Sequence, residues 1–115
     1  MKFCEESNRI LGYEIKTSRT VNKFHITYNE LQKAHMMKYS YYLFFIFIEE
    51  GVNEYYGYII QNPIKELQLN FLELTEPVHT GNAAVIPNQF RISMELEYLE
   101  QIKCDIILNK RVRKN

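Results

Sequence analysis

The segment Tyr39-Ser40-Tyr41-Tyr42-Leu43-Phe44-Phe45-Ile46-Phe47-Ile48 is a nearly unbroken run of aromatic and β-branched side chains. Such a run predicts a strand buried on both faces, the environment of a central strand flanked by helices. Glu49-Glu50-Gly51-Val52-Asn53 follows as a turn, and Glu54 to Ile60 predicts the returning strand of a hairpin. The apolar window Tyr41 to Ile48 is far shorter than the roughly 20 residues needed to span a bilayer.

The rest of the chain arranges itself around that hairpin. Ile10 to Lys16 reads as a strand, Thr17 to Asn22 as a polar loop, and Phe24 to Ile26 as a short strand. Thr27 with Glu30 three positions later matches a capping box, which predicts a helix from Tyr28 to about Lys38 with Leu31, Ala34 and His35 on one face. Asn62-Pro63 ends the hairpin, and Ile64 to Leu67 suits a helical turn. Leu69 to Leu74 reads as another strand and Glu76 to Asn88 as the longest loop. Gln89 to Met94 reads as a half-exposed strand, Glu95 to Lys103 as a helix, and Cys104 to Leu108 as a last strand. Met1 to Asn8 carries little pattern. This order predicts one α/β domain over residues 1–115, a mixed central β-sheet with flanking helices.

With 46% hydrophobic and 24% charged residues, a chain of 115 residues can build a modest single core. The formal net charge is zero. A nucleic-acid partner therefore draws on local clusters such as Lys110, Arg111, Arg113 and Lys114, whose plainer reading is a solvated tail. Cys4 and Cys104 form no metal-binding spacing with each other or with His25, His35 and His79, and two reduced thiols are expected. No basic flank followed by an apolar run marks a signal peptide, so a cytoplasmic location without a membrane partner is expected.

Glu14 and Lys16 lie two apart around Ile15, so on a strand both project from one face while Ile15 takes the other. A carboxylate and an ammonium side by side can hold a divalent metal and a water beside a phosphate. The plain alternative is a surface ion pair of small energetic weight. Thr17 and Ser18 next to them can bond a phosphate oxygen or cap the loop. Asn29 and Glu30 most simply start the helix. Tyr55, Tyr56 and Tyr58 offer a partner surface on the hairpin, which also suits a homo-oligomer.

Glu14-Ile15-Lys16-Thr17-Ser18, then Phe24-His25-Ile26-Thr27-Tyr28-Asn29-Glu30, then Tyr41-Tyr42-Leu43 before a hairpin, resembles the NO VEIN C-terminal domain family. The resemblance covers about Leu11 to His79, and residues 80–115 form an extension of unknown role. It implies a branch of the PD-(D/E)XK nuclease-like superfamily with a restriction-endonuclease-like core, found beside helicases and in restriction and phage-defence settings. It assigns Glu14 as catalytic and metal-binding acid, Lys16 as catalytic lysine, and the Ile15 backbone carbonyl as a further metal ligand. It implies DNA as substrate, Mg²⁺ or Mn²⁺ as cofactor, phosphodiester hydrolysis as reaction, and a helicase or restriction subunit as partner. Family members carry a second acid, usually Asp, on the preceding strand. Here the sole aspartate is Asp105, and upstream of Glu14 stand only Glu5 and Glu6, so the chain reads as N-terminally truncated relative to that pattern. The alternative expectation is a non-catalytic nucleic-acid-binding or protein-interaction module derived from the same fold.

Overall fold

The computed structural model describes residues 2–6, 9–49, 51 and 54–109, with side chains described at 10–49, 51 and 57–102. The chain starts with an antiparallel pair, β1 (Lys2–Glu6) and β2 (Arg9–Ser18), in which Lys2 faces Tyr13 and Glu6 faces Arg9. It continues as β3 (Lys23–Thr27), α1 (Tyr28–Met37), a 3-10 turn (Lys38–Ser40), β4 (Tyr41–Ile48) and β5 (Glu54–Gln61). Two short helices, α2 (Pro63–Glu66) and α3 (Phe71–Leu74), and a small hairpin of β6 (Val78–His79) and β7 (Ala84–Val85) follow. The described chain closes with β8 (Gln89–Ser93), α4 (Leu96–Ile102) and β9 (Lys103–Asn109).

The main sheet has the order β1-β2-β4-β5-β9. β2 and β4 run parallel, and the connection between them carries β3 and α1. β4 and β5 are the expected antiparallel hairpin, with Leu43 opposite Ile60 and Phe45 opposite Tyr58. β3 pairs with β8 instead of joining this sheet. The result is a mixed α/β arrangement, as the order of elements predicts.

The core forms on one side of the sheet. Leu43 and Phe45 from β4, with Tyr58 and Ile60 from β5, meet Leu31 of α1, Phe24 and Ile26 of β3, Met94 and Leu99. Burial of these side chains stabilises the fold by roughly 1.5–3 kcal/mol each. Residues beyond position 80 are thus built into the structure: Met94 and Leu99 lie in this core, and β9 lengthens the sheet.

Three expectations need correction. β4 is buried on only one face: Tyr41, Leu43 and Phe45 are buried, whereas Tyr42, Phe44 and Ile46 are half-exposed. The second face is open, an apolar hollow of about 510 Å³ lined by Leu11, Tyr13, Ile15, Tyr42, Phe44 and Ile46. An all-apolar run fixes the strand but carries no record of what covers each side. Leu69 to Leu74 is not a strand: Asn70 Oδ1 accepts the Glu73 N–H at 3.1 Å and starts α3 instead. Met1 to Asn8 has little pattern by itself, yet its residues 2–6 form a strand because β2 offers an edge for pairing.

Cys4 on β1 and Cys104 on β9 sit at opposite edges of the main sheet. Four interstrand steps put them about 19 Å apart. A disulfide needs Cα atoms within roughly 7 Å, so these two cannot pair within one chain. Among the described residues no helix is long and apolar enough to cross a membrane.

Candidate functional site

Capping decides where α1 begins, and the start of α1 decides what meets Glu14 and Lys16. Thr27 Oγ1 accepts the Glu30 N–H at 3.2 Å, and Glu30 Oε1 accepts the Thr27 N–H at 3.0 Å, the reciprocal pair of a capping box. The same Oε1 accepts a hydrogen bond from Lys16 Nζ at 2.8 Å. At the other end of the helix, a Cβ on Gly12 would come within 2.7 Å of Met37 Sδ, so α1 lies directly on β2 there. The helix therefore runs back along β2 from Lys16 to Gly12, and Glu14 sits between those two anchor points.

Glu14, Lys16 and Glu30 make one half-buried polar cluster. Lys16 and Glu30 keep only 19% and 20% of their side-chain surface exposed. Burial raises the Glu14 carboxyl above its ordinary value, and the hydrogen bond and charge of Glu30 raise it further. For Glu30 burial also pushes upward. The hydrogen bonds from Lys16, the Thr27 backbone and Glu14, with the Lys16 charge, outweigh it and hold the carboxyl at about 2. The two acids therefore share a hydrogen bond, with the proton favoured on Glu14 and the charge on Glu30.

Tyr41, the first residue of β4, completes the group. Its side chain is fully buried, and its hydroxyl has no hydrogen-bond partner among the described residues. Burial raises its pKa, and the charges of Glu14 and Glu30 add to that rise. The hydroxyl thus lies within coulombic reach of both carboxylates.

The sequence places Glu14 and Lys16 on one face of a strand, and the structure brings them together in the same cluster. It does not show them as an isolated surface pair, since Lys16 pairs with Glu30. Ile15 points the opposite way, to the open apolar face. Pairing between β1 and β2 ends at Lys2 and Tyr13, so from Glu14 to Ser18 no described strand covers that edge of β2, and the Ile15 backbone lies within it. Thr17 is exposed, and Ser18 Oγ accepts the Thr20 N–H at 2.9 Å in the following turn.

Other residues weighed from sequence stand apart. Glu5 and Glu6 face Ile10 and Arg9, four to five positions from the Glu14 level, or about 13–17 Å along the strand. Asp105 belongs to β9, three strands away from β2. His25 is exposed, and His35 stacks on Phe71 with ring centroids 4.3 Å apart. Tyr58 is buried in the core, which removes it from any partner surface; the Tyr55 and Tyr56 side chains and the run from Lys110 to Lys114 lie outside the described residues. Sequence reasoning read Glu30 first as a helix start, with a role in the site as the lesser alternative, and Tyr41 first as a central-strand core residue, with base stacking as the lesser one. The signal available for Glu30 was its place inside the same block that carries the family resemblance.

Among the described residues no group of three or more His, Cys, Asp or Glu side chains converges as a metal cage. What the cluster offers is an all-oxygen donor set of two carboxylates and a hydroxyl, beside the Lys16 ammonium. No family model, curated protein or solved structure matches this chain.

Proposed function

We propose that the chain is a metal-dependent DNA endonuclease-like domain of the restriction or phage-defence type, with Glu14 and Lys16 as its catalytic pair. The observation that carries this is the setting of those two side chains. They project from one face of β2 into a half-buried polar cluster at the start of a crossover helix, with parallel β4 alongside. This is the arrangement that the resemblance implies around Glu14. Ionic groups of a purely solvated pair have no reason to gather there.

The donor set fits a hard divalent cation. Carboxylate and carbonyl oxygens suit Mg²⁺ or Mn²⁺, which need only one or two protein carboxylates and keep several waters. Glu14 and the Ile15 carbonyl would hold the ion. When bound, it supplies Lewis acidity and an acidified water for phosphodiester hydrolysis. Lys16 orients the attacking water and offsets the negative charge that grows on the phosphate. Exposed Thr17, next along β2, is placed to bond a neighbouring phosphate oxygen, with Ser18 beside it.

Duplex and single-stranded DNA incubated with the purified chain in Mg²⁺ or Mn²⁺ test this. Cleavage should appear, stop with chelator, and vanish in Glu14→Ala and Lys16→Ala. Absence of cleavage together with absence of metal binding by calorimetry would overturn it.

One observation favours a second reading, a protein-interaction module. The open sheet face is apolar, and Phe44 is held edge-on to Tyr13 at 5.7 Å and stacked with Tyr42 at 6.4 Å. An uncharged, rigid aromatic face presents no unpaired charge to an identical face, so a second copy of this chain is the partner that suits it. The Glu14 cluster lies on the opposite side of β2, so such a dimer leaves it accessible.

A further inference from the structure

We propose that the hollow at the far end of α1 binds a nucleoside 5′-phosphate, with Lys38 and Lys65 on the phosphate, Tyr39 against the base and the Asn62 carboxamide on its polar edge. The hollow measures about 510 Å³, and its walls include His35, Lys38 and Tyr39 on one side and Asn62, Lys65 and Gln68 on the other. That volume suits a small organic ligand. Its lining among the described residues holds two ammonium groups and no carboxylate. Lys38 follows Glu30 by eight positions, about 12 Å along the helix, so this hollow is separate from the Glu14 cluster. The inference goes beyond the nuclease reading and does not depend on cleavage.

Asn62 is the observation that points to a ligand. It is only 5% exposed, yet its carboxamide makes no cap bond to α2 and has no hydrogen-bond partner among the described residues. A polar group so placed needs a partner from within the hollow it lines. The backbone agrees. Lys38, Asn62 and Gln68, with φ of 53°, 56° and 54°, are the non-glycine residues of positive φ among those described, and all three line this hollow. Such conformations gather at ligand sites, where the surroundings hold them.

The charges and the ring choose the ligand class. Lys65 turns to Tyr39 instead of a carboxylate: it donates to the phenol hydroxyl and lies 5.2 Å from the ring centre. Glu66, whose charge reaches Lys65, lines the neighbouring hollow beside Tyr98. The carbonyl end of α1 accounts for one ammonium. The second leaves positive charge for an anion. Tyr39 is 55% exposed, which leaves ring surface on which a base can stack. A carboxamide pairs with the donor and acceptor edge of such a base. Phosphate alone makes no use of Tyr39 or Asn62, and a bare nucleoside makes none of the lysines.

Calorimetry on the full chain in chelator tests this, with the four common nucleoside 5′-monophosphates, their nucleosides, inorganic phosphate and a 5′-phosphorylated oligonucleotide as probes. At least one monophosphate should bind saturably, about tenfold or more tighter than its nucleoside or inorganic phosphate. Lys38→Gln, Lys65→Gln and Tyr39→Leu should each weaken it about tenfold. Asn62→Gly separates ligand from fold, because glycine accepts positive φ freely while removing the carboxamide; the chain should stay folded and lose about tenfold in affinity. Lys33→Gln, on an exposed part of α1 away from the hollow, should leave binding unchanged. An oligonucleotide that binds tighter than the monophosphates would support the site with a DNA strand end as its source, and a weaker one would support it with a free nucleotide. Absence of monophosphate binding, inorganic phosphate binding as tightly, wild-type affinity in Asn62→Gly, or an equal loss in Lys33→Gln would overturn the proposal.

Discussion

Lys16 on β2 donates to Glu30 on α1 at 2.8 Å, a bond between residues 14 positions apart that ties the central strand to the helix crossing over it. Glu30 Oε1 also receives the Thr27 N–H, so one oxygen both caps the helix and anchors the strand lysine. The start of α1, the orientation of Lys16 and the raised proton affinity of Glu14 are therefore set together. A change at any one of these residues is felt at the others.

Glu30→Ala should destabilise the chain by about 1 kcal/mol more than Glu30→Gln, since alanine loses the capping interaction that glutamine retains. Urea denaturation followed by circular dichroism measures the difference. Equal midpoints for the two variants would show that the Thr27–Glu30 box contributes nothing.

The same carboxyl sets an acid limit on the fold. Glu30 is held at about 2, below its ordinary value of 4.5, so its contribution to stability is complete above pH 4.5 and disappears as pH falls toward 2. Glu14 is raised, so its preference for the proton favours the fold below pH 4.5 and is lost as pH rises through its raised value. Thermal melting of Glu30→Gln against wild type across the acid range should show a gap that closes below pH 4.5. A gap independent of pH would refute this assignment.

Tyr41→Phe should leave the metal-free chain slightly more stable, by about 1 kcal/mol, because it removes a buried hydroxyl that lacks a partner. Chemical denaturation in chelator measures it. A loss of 1 kcal/mol or more would mean that the hydroxyl is already satisfied inside the fold.

The open face of the sheet predicts self-association. Light scattering at rising concentration should show dimer, and Phe44→Glu should return monomer at all concentrations while the Glu14 cluster stays intact on the other side of β2. A strict monomer for the wild-type chain would count against this use of the face.

Leu43 lies at the centre of the core with no exposed surface. Leu43→Ala should reduce stability by about 2–5 kcal/mol, the range for deleting a buried leucine. Ile15→Ala, on the open face, should lose far less, and the contrast between the two measured in urea tests which face of the sheet is covered.

Local chemistry made much of this fold legible in the sequence. Alternation around Ile15 placed Glu14 and Lys16 on one face, the Thr27–Glu30 spacing fixed the start of α1, and the Tyr41 to Ile48 run with its return fixed the hairpin. Each depends on residues close together in the chain, where steric period and hydrogen-bond reach decide the outcome. The misread segments lacked such a local signal. Residues 2–6 needed the β2 edge to become a strand, and Leu69 to Leu74 was apolar enough for either state until Asn70 capped a helix.

What only the tertiary structure decided is the company that Glu14 keeps. Parallel pairing of β2 with β4 requires a crossover, and the crossover lays α1 along β2 so that Glu30 reaches Lys16 and Glu14 while Tyr41 comes in beneath. Periodicity cannot report which faces of a strand are covered, so the open side of β4 stayed hidden as well. By itself the sequence determined that an acid and a lysine share a strand face in a mixed α/β domain. That a second acid joins them arises from chain-distant packing, whose energy lies in burial and a charged hydrogen bond and not in any local pattern.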